Sequence, residues 1–454
     1  MNRPMNDMLT RASGRLSGHM PGHKGKAPFG SVDPYALDTT ELPVTDDLYA
    51  PERGIAEAQR LYARAAGAAE TLFLHNGSTS GIHAMVQLYA HEGDTVILPR
   101  NAHLSAVNGC ILGGVRPAWI PVTQTADGYC YVAESDALAA LDAHPEAKAL
   151  LLTRPDYFGG CLPLSRIIAK ARRLGIRVVI DEAHGAHLPW LKGPDSAGAL
   201  GADAWVQSVH KTLPGLTGSA ALHLRDAADL ARARAILRRE QTSSPSFLLM
   251  LSIDDARAWM DEHGMKRLSQ VEQACHRLRA LLPGLGYADA HAGWSGMGLV
   301  FDPTRLVIAA PQGGYALAEA LQAHGVDAEM ADDRRVVLIM TAMDEPDDIL
   351  RLSDILRDIP ATPRVLPVAS ATYPIPRQLM SPRAAAMGET EQVPLNRAAG
   401  RIAAAVAGLY PPGVPLVCPG EEITEDTVHQ LQSAASQQRF GVEGDCLTCV
   451  TTNA

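Results

Sequence analysis

Residues 163–190 read PLSRIIAKARRLGIRVVIDEAHGAHLPW, in which a stretch with helical spacing of apolar residues runs into a short apolar segment. That segment, 177–183, has the length and the β-branched content of a buried strand. Similar strand candidates recur at 95–99 (TVILP), 149–153 (ALLLT) and 204–209 (AWVQSV), separated by helical stretches. The alternation predicts an α/β fold, with a mostly parallel sheet that is covered by helices on both faces.

The composition is that of a globular protein that folds in water. Of the 454 residues, 46% are hydrophobic and 20% are charged, and the formal net charge is -10. Because no signal segment and no apolar run of membrane-spanning length is seen, we expect a cytoplasmic protein. The acidic balance argues against nucleic-acid or membrane partners and is compatible with a cationic small-molecule substrate. The seven cysteines are mostly isolated, so reduced thiols are expected.

Changes of pattern along the chain predict four segments. Residues 1–50, rich in Gly, Pro, His and Asp, are expected to form an N-terminal arm. The parallel sheet is expected within a large domain at 51–285, and a second set of strands and helices predicts a small α/β domain at 286–362. A Pro-rich connection then leads into a C-terminal domain at 363–454.

Polar residues gather in the loops after the predicted strands, where open α/β sheets bind their ligands. The turn NGSTSG places Gly77, Ser78 and Thr79 at the start of a helix, where backbone N–H groups can cradle a phosphate. An ordinary N-cap turn is the alternative. His103, in RNAHLS, fits either stacking on an aromatic ligand or a loop histidine bonded to backbone.

Two further loops supply a carboxylate and an amine. Asp181 ends an apolar strand, where a carboxylate needs a metal, an arginine or a protonated ring nitrogen as its partner. Too few ligands surround it to predict a metal site. Lys211, beside Ser208 and His210 in SVHKTLPGLTG, is either a surface lysine or a functional amine that forms a Schiff base. Together the four loops predict a single site.

In this order and spacing, the residues resemble those of fold-type I pyridoxal-phosphate enzymes, the aspartate aminotransferase superfamily. Within it the chain is similar to the Orn/Lys/Arg decarboxylase family, in its short form. The motifs that carry the similarity are HMPGHKG, ELPVTDDLYAPERGI, NGSTSGI, RNAHLS, DEAHGAHL, QSVHKTLPGLT, QTSSPSFLLM and VPLNRAAGRIAAAVAGLYPPGVPLVCPGE. The resemblance implies pyridoxal 5'-phosphate as cofactor and the decarboxylation of arginine, lysine or ornithine to an amine and carbon dioxide, as in polyamine biosynthesis.

The resemblance also implies a role for each candidate residue. Lys211 would form the Schiff base, Asp181 would pair with the ring nitrogen, and His103 would stack on the ring, with Lys211 or His103 as the proton donor. The residues that would line the ring or hold the phosphate are Gly77, Ser78, Thr79, Ala183, His184, Ser208 and His210. Ser243 or Ser244 would arrive from a second subunit, because the family builds its site at a homodimer interface.

Some positions depart from the family pattern and leave the substrate and reaction open. Arg154 and Asp156 stand in a loop that we expect to be neutral, and Gly218 stands where glutamine is common. All three are expected near the substrate pocket. The candidate carboxylates for a cationic substrate head, with plain solvated charge as the alternative, are Asp46, Asp47 and Glu421.

Two alternatives to a basic amino acid decarboxylase remain. One is another pyridoxal-phosphate reaction on a related amino acid, such as that of an aminotransferase, a lyase or an oxidase. The other is a non-catalytic regulatory relative, against which the presence of both the lysine and the aspartate argues, because a protein that only binds needs no such pair.

Overall fold

The computed structural model describes residues 15–30, 33–42, 44–364, 373–410 and 413–451. The strands up to residue 224 are β1 (Leu16–Gly18), β2 (Glu70–Leu74), β3 (Thr95–Pro99), β4 (Arg116–Ile120), β5 (Thr123–Gln124), β6 (Cys130–Tyr131), β7 (Ala149–Thr153), β8 (Gly160–Cys161), β9 (Arg177–Asp181), β10 (Ala204–Gln207) and β11 (Ala220–Leu224). The helices of this part are α1 (Pro34–Leu37), α2 (Gly54–Ala66), α3 (Gly77–Tyr89), α4 (Leu104–Gly113), α5 (Glu134–Ala143), α6 (Ser165–Leu174), α7 (Ala197–Leu200) and α8 (Val209–Thr212).

Longer helices begin the second half of the chain. The helices are α9 (Leu230–Glu240), α10 (Phe247–Trp259), α11 (Met265–Leu281), α12 (Ala290–Gly293), α13 (Gly314–Ala323), α14 (Pro346–Asp358), α15 (Pro382–Met387) and α16 (Glu425–Ser433). The strands are β12 (Ala288–Asp289), β13 (Val300–Phe301), β14 (Arg305–Ala309), β15 (Val326–Ala328), β16 (Met330–Ala331), β17 (Arg335–Ile339), β18 (Thr390–Pro394), β19 (Ala407–Leu409), β20 (Val414–Val417), β21 (Arg439–Phe440) and β22 (Cys446–Val450). Within the described ranges, no helix has the length and apolarity to span a bilayer.

A seven-stranded sheet lies at the centre of the molecule, in the order β2-β11-β10-β9-β7-β3-β4. The strands from β10 to β4 are parallel, and β11 runs antiparallel to both of its neighbours. Along β9, Val178 and Ile180 join one hydrophobic core, and Val179 joins another on the opposite face. Both faces are therefore buried, which explains why the strands are almost continuously apolar. The predicted α/β fold with a mostly parallel sheet is confirmed.

A smaller antiparallel sheet, in the order β12-β14-β17-β16, has a core of its own. Leu278, Leu317 and Leu352, from α11, α13 and α14, pack on it. The C-terminal part has a third core, around the β18–β22 pair and the β19–β20–β21 sheet. The exact domain boundaries at 51, 286 and 363 stay a prediction.

The N-terminal segment connects the smaller sheet to the loop that carries Lys211. Its strand β1 pairs in parallel with β15. The backbone N–H of Gly22 donates to the carbonyl of His210 (2.7 Å), and the hydroxyl of Thr341 donates to the carbonyl of Gly22 (2.8 Å). A Cβ at Gly22 would lie 2.6 Å from the carbonyl oxygen of Leu213, so only glycine fits there.

Candidate active site

The candidate amine, Lys211, lies on the short helix α8, directly after β10. Its Nζ is 3.2 Å from Nε2 of His184. Burial lowers the pKa of Lys211, and the carboxylates of Asp181 and Glu329 oppose that shift. Lys211 is therefore a partly desolvated amine among ionisable groups, and the surface-lysine interpretation does not describe it.

Asp181 ends β9, and only 4% of its surface is exposed. Its Oδ1 accepts the backbone N–H of Ala183 at 3.1 Å, while no donor among the described residues is hydrogen-bonded to Oδ2. Its charge acts on both Lys211 and His103. This buried carboxylate can therefore take a cationic partner, for example a protonated ring nitrogen.

His103 is the N-cap of α4, on the loop after β3. Its Nδ1 accepts the backbone N–H of Ser105 at 3.2 Å, which leaves Nε2 to carry the ring hydrogen. Desolvation lowers its pKa, Asp181 opposes that shift and Lys211 adds to it. The structure therefore brings His103, Asp181 and Lys211 together, as the sequence predicted.

Hydroxyl groups and a helix N-terminus meet beside the lysine. The hydroxyl of Ser208 donates to that of Ser78 at 2.9 Å, across the start of α3. The N–H of Gly77 donates to the carbonyl of Gly218 at 2.8 Å. Both glycines have positive φ, 68° and 96°, and Asn76 makes no side-chain capping bond. Asn76 is thus the N-cap residue of α3 but does not cap the helix with its side chain. Because the N–H of Gly77 is already bonded, the N–H groups that follow it are the ones available to an anion.

The two remaining phosphate candidates, His210 and Thr79, lie on α8 and on the first turn of α3. His210 donates from Nδ1 to the carbonyl of Ser219 at 3.0 Å, and the buried hydroxyl of Ser219 has no hydrogen-bond partner among the described residues. Thr79 is exposed on the first turn of α3.

Ser243 and Ser244 are exposed in the loop between α9 and α10. The backbone N–H of Ser244 donates to the hydroxyl of Thr242 at 3.1 Å, a contact within the loop. In the described part of this chain, neither serine is hydrogen-bonded to Ser78 or Ser208. Their arrival from a second subunit stays a prediction.

Three residues near the lysine were not predicted from the sequence. Arg305, on β14, is 0% exposed, and its Nη1 and Nη2 each lie 3.5 Å from Nδ1 of His184. The ring of Tyr157 packs edge-on against His184 at 5.1 Å between centroids, and its hydroxyl donates to Glu329 at 2.6 Å. An arginine at the start of the apolar run RLVIA was a usable signal for Arg305, whereas Glu329 carried none.

The charged residues of the loop 154–160 have hydrogen-bond partners within the fold. Arg154 donates to two backbone carbonyls, at 2.9 and 2.6 Å. Asp156 accepts the hydroxyl of Tyr129 and two backbone N–H groups of its own turn, at 2.9 and 2.8 Å. Burial raises the pKa of Asp156 to about 6. The expectation that these two side chains shape the substrate pocket thus has no support in their contacts, whereas Gly218 does lie beside the phosphate candidates.

The carboxylates expected to meet a cationic substrate head have structural partners. Glu421 is buried and accepts from Nη1 and Nη2 of Arg100, at 2.6 and 2.8 Å. Asp46 accepts four backbone N–H groups from its own loop and from the start of α2. Asp47 accepts the N–H of Tyr49 at 2.8 Å. The prediction that Glu421 faces the substrate is wrong, because both of its oxygens are bonded within the fold.

The ionisable side chains that follow Asp181 in the sequence have separate partners. Glu182 accepts the backbone N–H of Ala197 (2.6 Å) and the side-chain amide of Gln207 (2.7 Å), and burial raises its pKa to about 7. His187 instead contacts Asp302 at 3.1 Å. No group of three or more metal-ligating side chains occurs in the residues that the structure covers.

Two family models match the chain. The Orn/Lys/Arg decarboxylase major domain matches residues 16–295, and the C-terminal domain of the same family matches residues 368–441. The chain belongs to the Orn/Lys/Arg decarboxylase family. It is an enzyme of the pyridoxal-phosphate-dependent amino acid decarboxylase class, as the sequence predicted.

Individual relatives agree with this assignment. The chain is 34% identical to the uncharacterized protein YaaO of Bacillus subtilis, over 96% of this chain and 95% of that protein. It is 33% identical to the arginine decarboxylase of the same organism, over 91% and 89% of the two chains. Among solved structures, lysine decarboxylase A from Pseudomonas aeruginosa superposes with a TM-score of 0.74 at 18% identity, over 91% of this chain and 74% of that one. The last likeness concerns the fold.

The residues at the site fit the cofactor that the family implies. Pyridoxal phosphate presents an aldehyde, a ring nitrogen and a phosphate. The site offers a partly desolvated amine on Lys211, a buried carboxylate on Asp181 with one oxygen open, and the paired hydroxyls of Ser208 and Ser78 at the start of α3. Each chemical group of the cofactor thus has a matching partner on the protein.

Proposed function

We propose that this protein decarboxylates a basic amino acid, with arginine as the first candidate, and that Lys211 holds the cofactor through a Schiff base. The observation that carries the proposal is the position of the Lys211 amine, 3.2 Å from His184 and within the field of Asp181. The 33% identity to an arginine decarboxylase favours arginine over lysine and ornithine.

The chain would hold the cofactor phosphate at the start of α3. The residues assigned to this role are Gly77, Ser78, Thr79, Ser208 and His210, with Ser243 or Ser244 from a second subunit. Ala183 and His184 would lie along the ring, and His103 would stack on it. The hydrogen bond between Ser208 and Ser78 supports this assignment, because it draws two hydroxyls together at a helix N-terminus.

The bound cofactor supplies an electron sink for the pair released when the bond between Cα and the carboxylate breaks. Asp181 would keep a proton on the ring nitrogen, since a buried carboxylate favours a cationic partner. His103 carries its hydrogen on Nε2 and is the candidate to return a proton to Cα, with Lys211 as the alternative donor.

We also propose that the active form is a homodimer. Two apolar side chains of the N-terminal arm support this: Tyr35 is 91% exposed and Val44 is 86% exposed. Large apolar side chains this exposed mark a surface that a partner can cover. Sedimentation of the purified protein at the mass of one chain would contradict the dimer.

The direct test is product analysis with purified protein loaded with pyridoxal phosphate. Incubation with arginine, lysine and ornithine in parallel should release carbon dioxide and one matching amine. Lys211→Ala should lower turnover by about 10³-fold or more, whereas Lys192→Ala, at an exposed lysine, should leave it unchanged.

Two results would count against the proposal. Undiminished turnover by Lys211→Ala would exclude the lysine from the mechanism. A keto acid or peroxide in place of the amine would indicate another pyridoxal-phosphate reaction.

A further inference from the structure

The imidazole of His184 lies between two basic side chains, those of Arg305 and Lys211. Both terminal nitrogens of Arg305 lie 3.5 Å from Nδ1 of His184, and Nε2 of the same ring lies 3.2 Å from Nζ of Lys211. A guanidinium group has donors and no acceptor, so Nδ1 must offer a lone pair to Arg305. In a neutral ring the hydrogen then resides on Nε2, where it faces Lys211.

The state of Lys211 follows from the same geometry. An ammonium group has no lone pair and cannot accept a hydrogen bond from Nε2–H, whereas an amine can. We propose that Arg305 is a positioning residue that fixes the Nε2–H tautomer of His184, so that His184 donates to Lys211 and keeps its nitrogen an unprotonated, nucleophilic amine. This inference rests on the proposed function, in which Lys211 reacts through that amine.

The surroundings of the ring favour its neutral form. Burial, and after it the charges of Lys211 and Arg305, lower the pKa of His184 well below its ordinary value. Arg305 is fully buried, and its Nε has no hydrogen-bond partner in the described part of the chain. The contact with His184 is thus the hydrogen bond that the Arg305 guanidinium makes.

Several charged groups act on Lys211 from different elements. The carboxylates of Asp181 and Glu329 favour the ammonium form, and burial together with Arg305 favours the amine. The imidazoles of His103 and His210 also interact with the lysine charge. Arg305 can therefore act on Lys211 in two ways: as a charge through space, or through the tautomer of His184. An experiment must separate the two.

The test measures the ionisation of Lys211 in protein freed of cofactor. Trace labelling with acetic anhydride across a pH series, followed by mass spectrometry of the peptide that contains Lys211, reports the fraction present as amine. Lys192, exposed on the surface, provides the internal reference in the same digest. The proteins compared are the native chain, Arg305→Met, His184→Phe and the double variant.

In the native protein we expect Lys211 to label with a midpoint below the ordinary lysine value of about 10.4. Arg305→Met should make labelling near neutral pH about 10-fold slower, which is a midpoint shift of about one unit. With His184→Phe already in place, the same change should slow labelling by only ~3-fold, because only the charge effect remains. Arg305→Lys retains a cationic donor and should stay close to the native protein; it also keeps the test usable if Arg305→Met fails to fold.

Equal shifts with and without His184 would show that Arg305 acts by charge alone and would overturn the proposal. An unchanged Lys211 midpoint in Arg305→Met would overturn it as well, because Arg305 would then have no effect on the ionisation of Lys211. The labelling needs neither cofactor nor turnover. Its result is therefore independent of whether arginine proves to be decarboxylated.

Discussion

Two arginines of this protein are equally buried and differently bonded. Arg100 donates to both oxygens of Glu421 and to two backbone carbonyls, at 2.6 to 3.1 Å, and its guanidinium lies 4.8 Å from the centre of the Trp119 ring. Arg305 has the nitrogen of His184 at 3.5 Å as its hydrogen-bond acceptor. A buried arginine with a hydrogen bond at each of its three nitrogens joins parts of the fold, whereas one with an unbonded nitrogen beside ionisable groups is a candidate for a functional charge.

The largest effect on stability should follow from breaking the ion pair between Arg100 and Glu421. Arg100→Met leaves the Glu421 carboxylate buried without its cation, and we expect the free energy of unfolding to fall by about 3 to 5 kcal/mol. Urea denaturation would measure it, with Arg351→Met, at an exposed arginine of α14, as the matched control. A loss no larger than that of the control would mean that the pair contributes nothing to stability.

An intermediate effect is expected at Glu182, a buried carboxylate whose bonded partners are neutral. Its folded pKa of about 7 lies above the unfolded value, so the stability it provides is present below about pH 4.5 and is lost as the pH rises through 7. Over that window the native protein should lose about 3 kcal/mol relative to Glu182→Gln. Urea denaturation of both proteins at several pH values gives the difference in their free energies of unfolding. Contributions from the other titrating groups are common to both proteins and cancel in that difference. Parallel pH profiles would contradict the assignment.

The smallest change in stability should come from the replacement of Arg305, whose Nε has no hydrogen-bond partner among the described residues. Arg305→Met removes a buried charge without leaving a hydrogen-bonded carboxylate behind, although the charge is felt by Asp156 and Asp302. We expect the free energy of unfolding to change by less than about 1 kcal/mol. The same urea assay applies. A loss as large as that of Arg100→Met would make Arg305 a structural residue and remove the contrast between the two arginines.

Four neighbouring strands of the central sheet, β10, β9, β7 and β3, are short apolar runs that the sequence predicted, whereas β4 and β11 were not predicted. The predicted strands at 95–99 and 149–153 coincide with β3 and β7. The smaller sheet was harder. The apolar run MGLVFDP, residues 297–303, forms only the two residues of β13, which pairs with β8 and not with the smaller sheet, because Pro303 lacks an N–H and Asp302 bonds into the turn that follows. The main strand, β14, begins after that turn and was missed.

The candidate site likewise has a part that the sequence predicted and a part that it did not. Lys211, Asp181 and His103 follow strands of one parallel sheet, so their meeting could be predicted from the order of loops along the chain. Arg305 and Glu329 reach the same place from the smaller sheet, and no local pattern encodes how two sheets pack. Glu421 was misassigned for the same reason, because its partner, Arg100, lies 321 residues away in the sequence.

The bonds of Gly22 have a consequence for how the protein is made on the ribosome. Its acceptor, His210, is synthesised long after it, and the Thr341 hydroxyl that bonds to its carbonyl follows 319 residues later. These two hydrogen bonds can therefore be present together only after residue 341 has left the exit tunnel of the ribosome. The connection that the N-terminal segment makes between the smaller sheet and the loop that carries Lys211 is therefore completed only after every strand of the central sheet, the last of which ends at Leu224, has been synthesised.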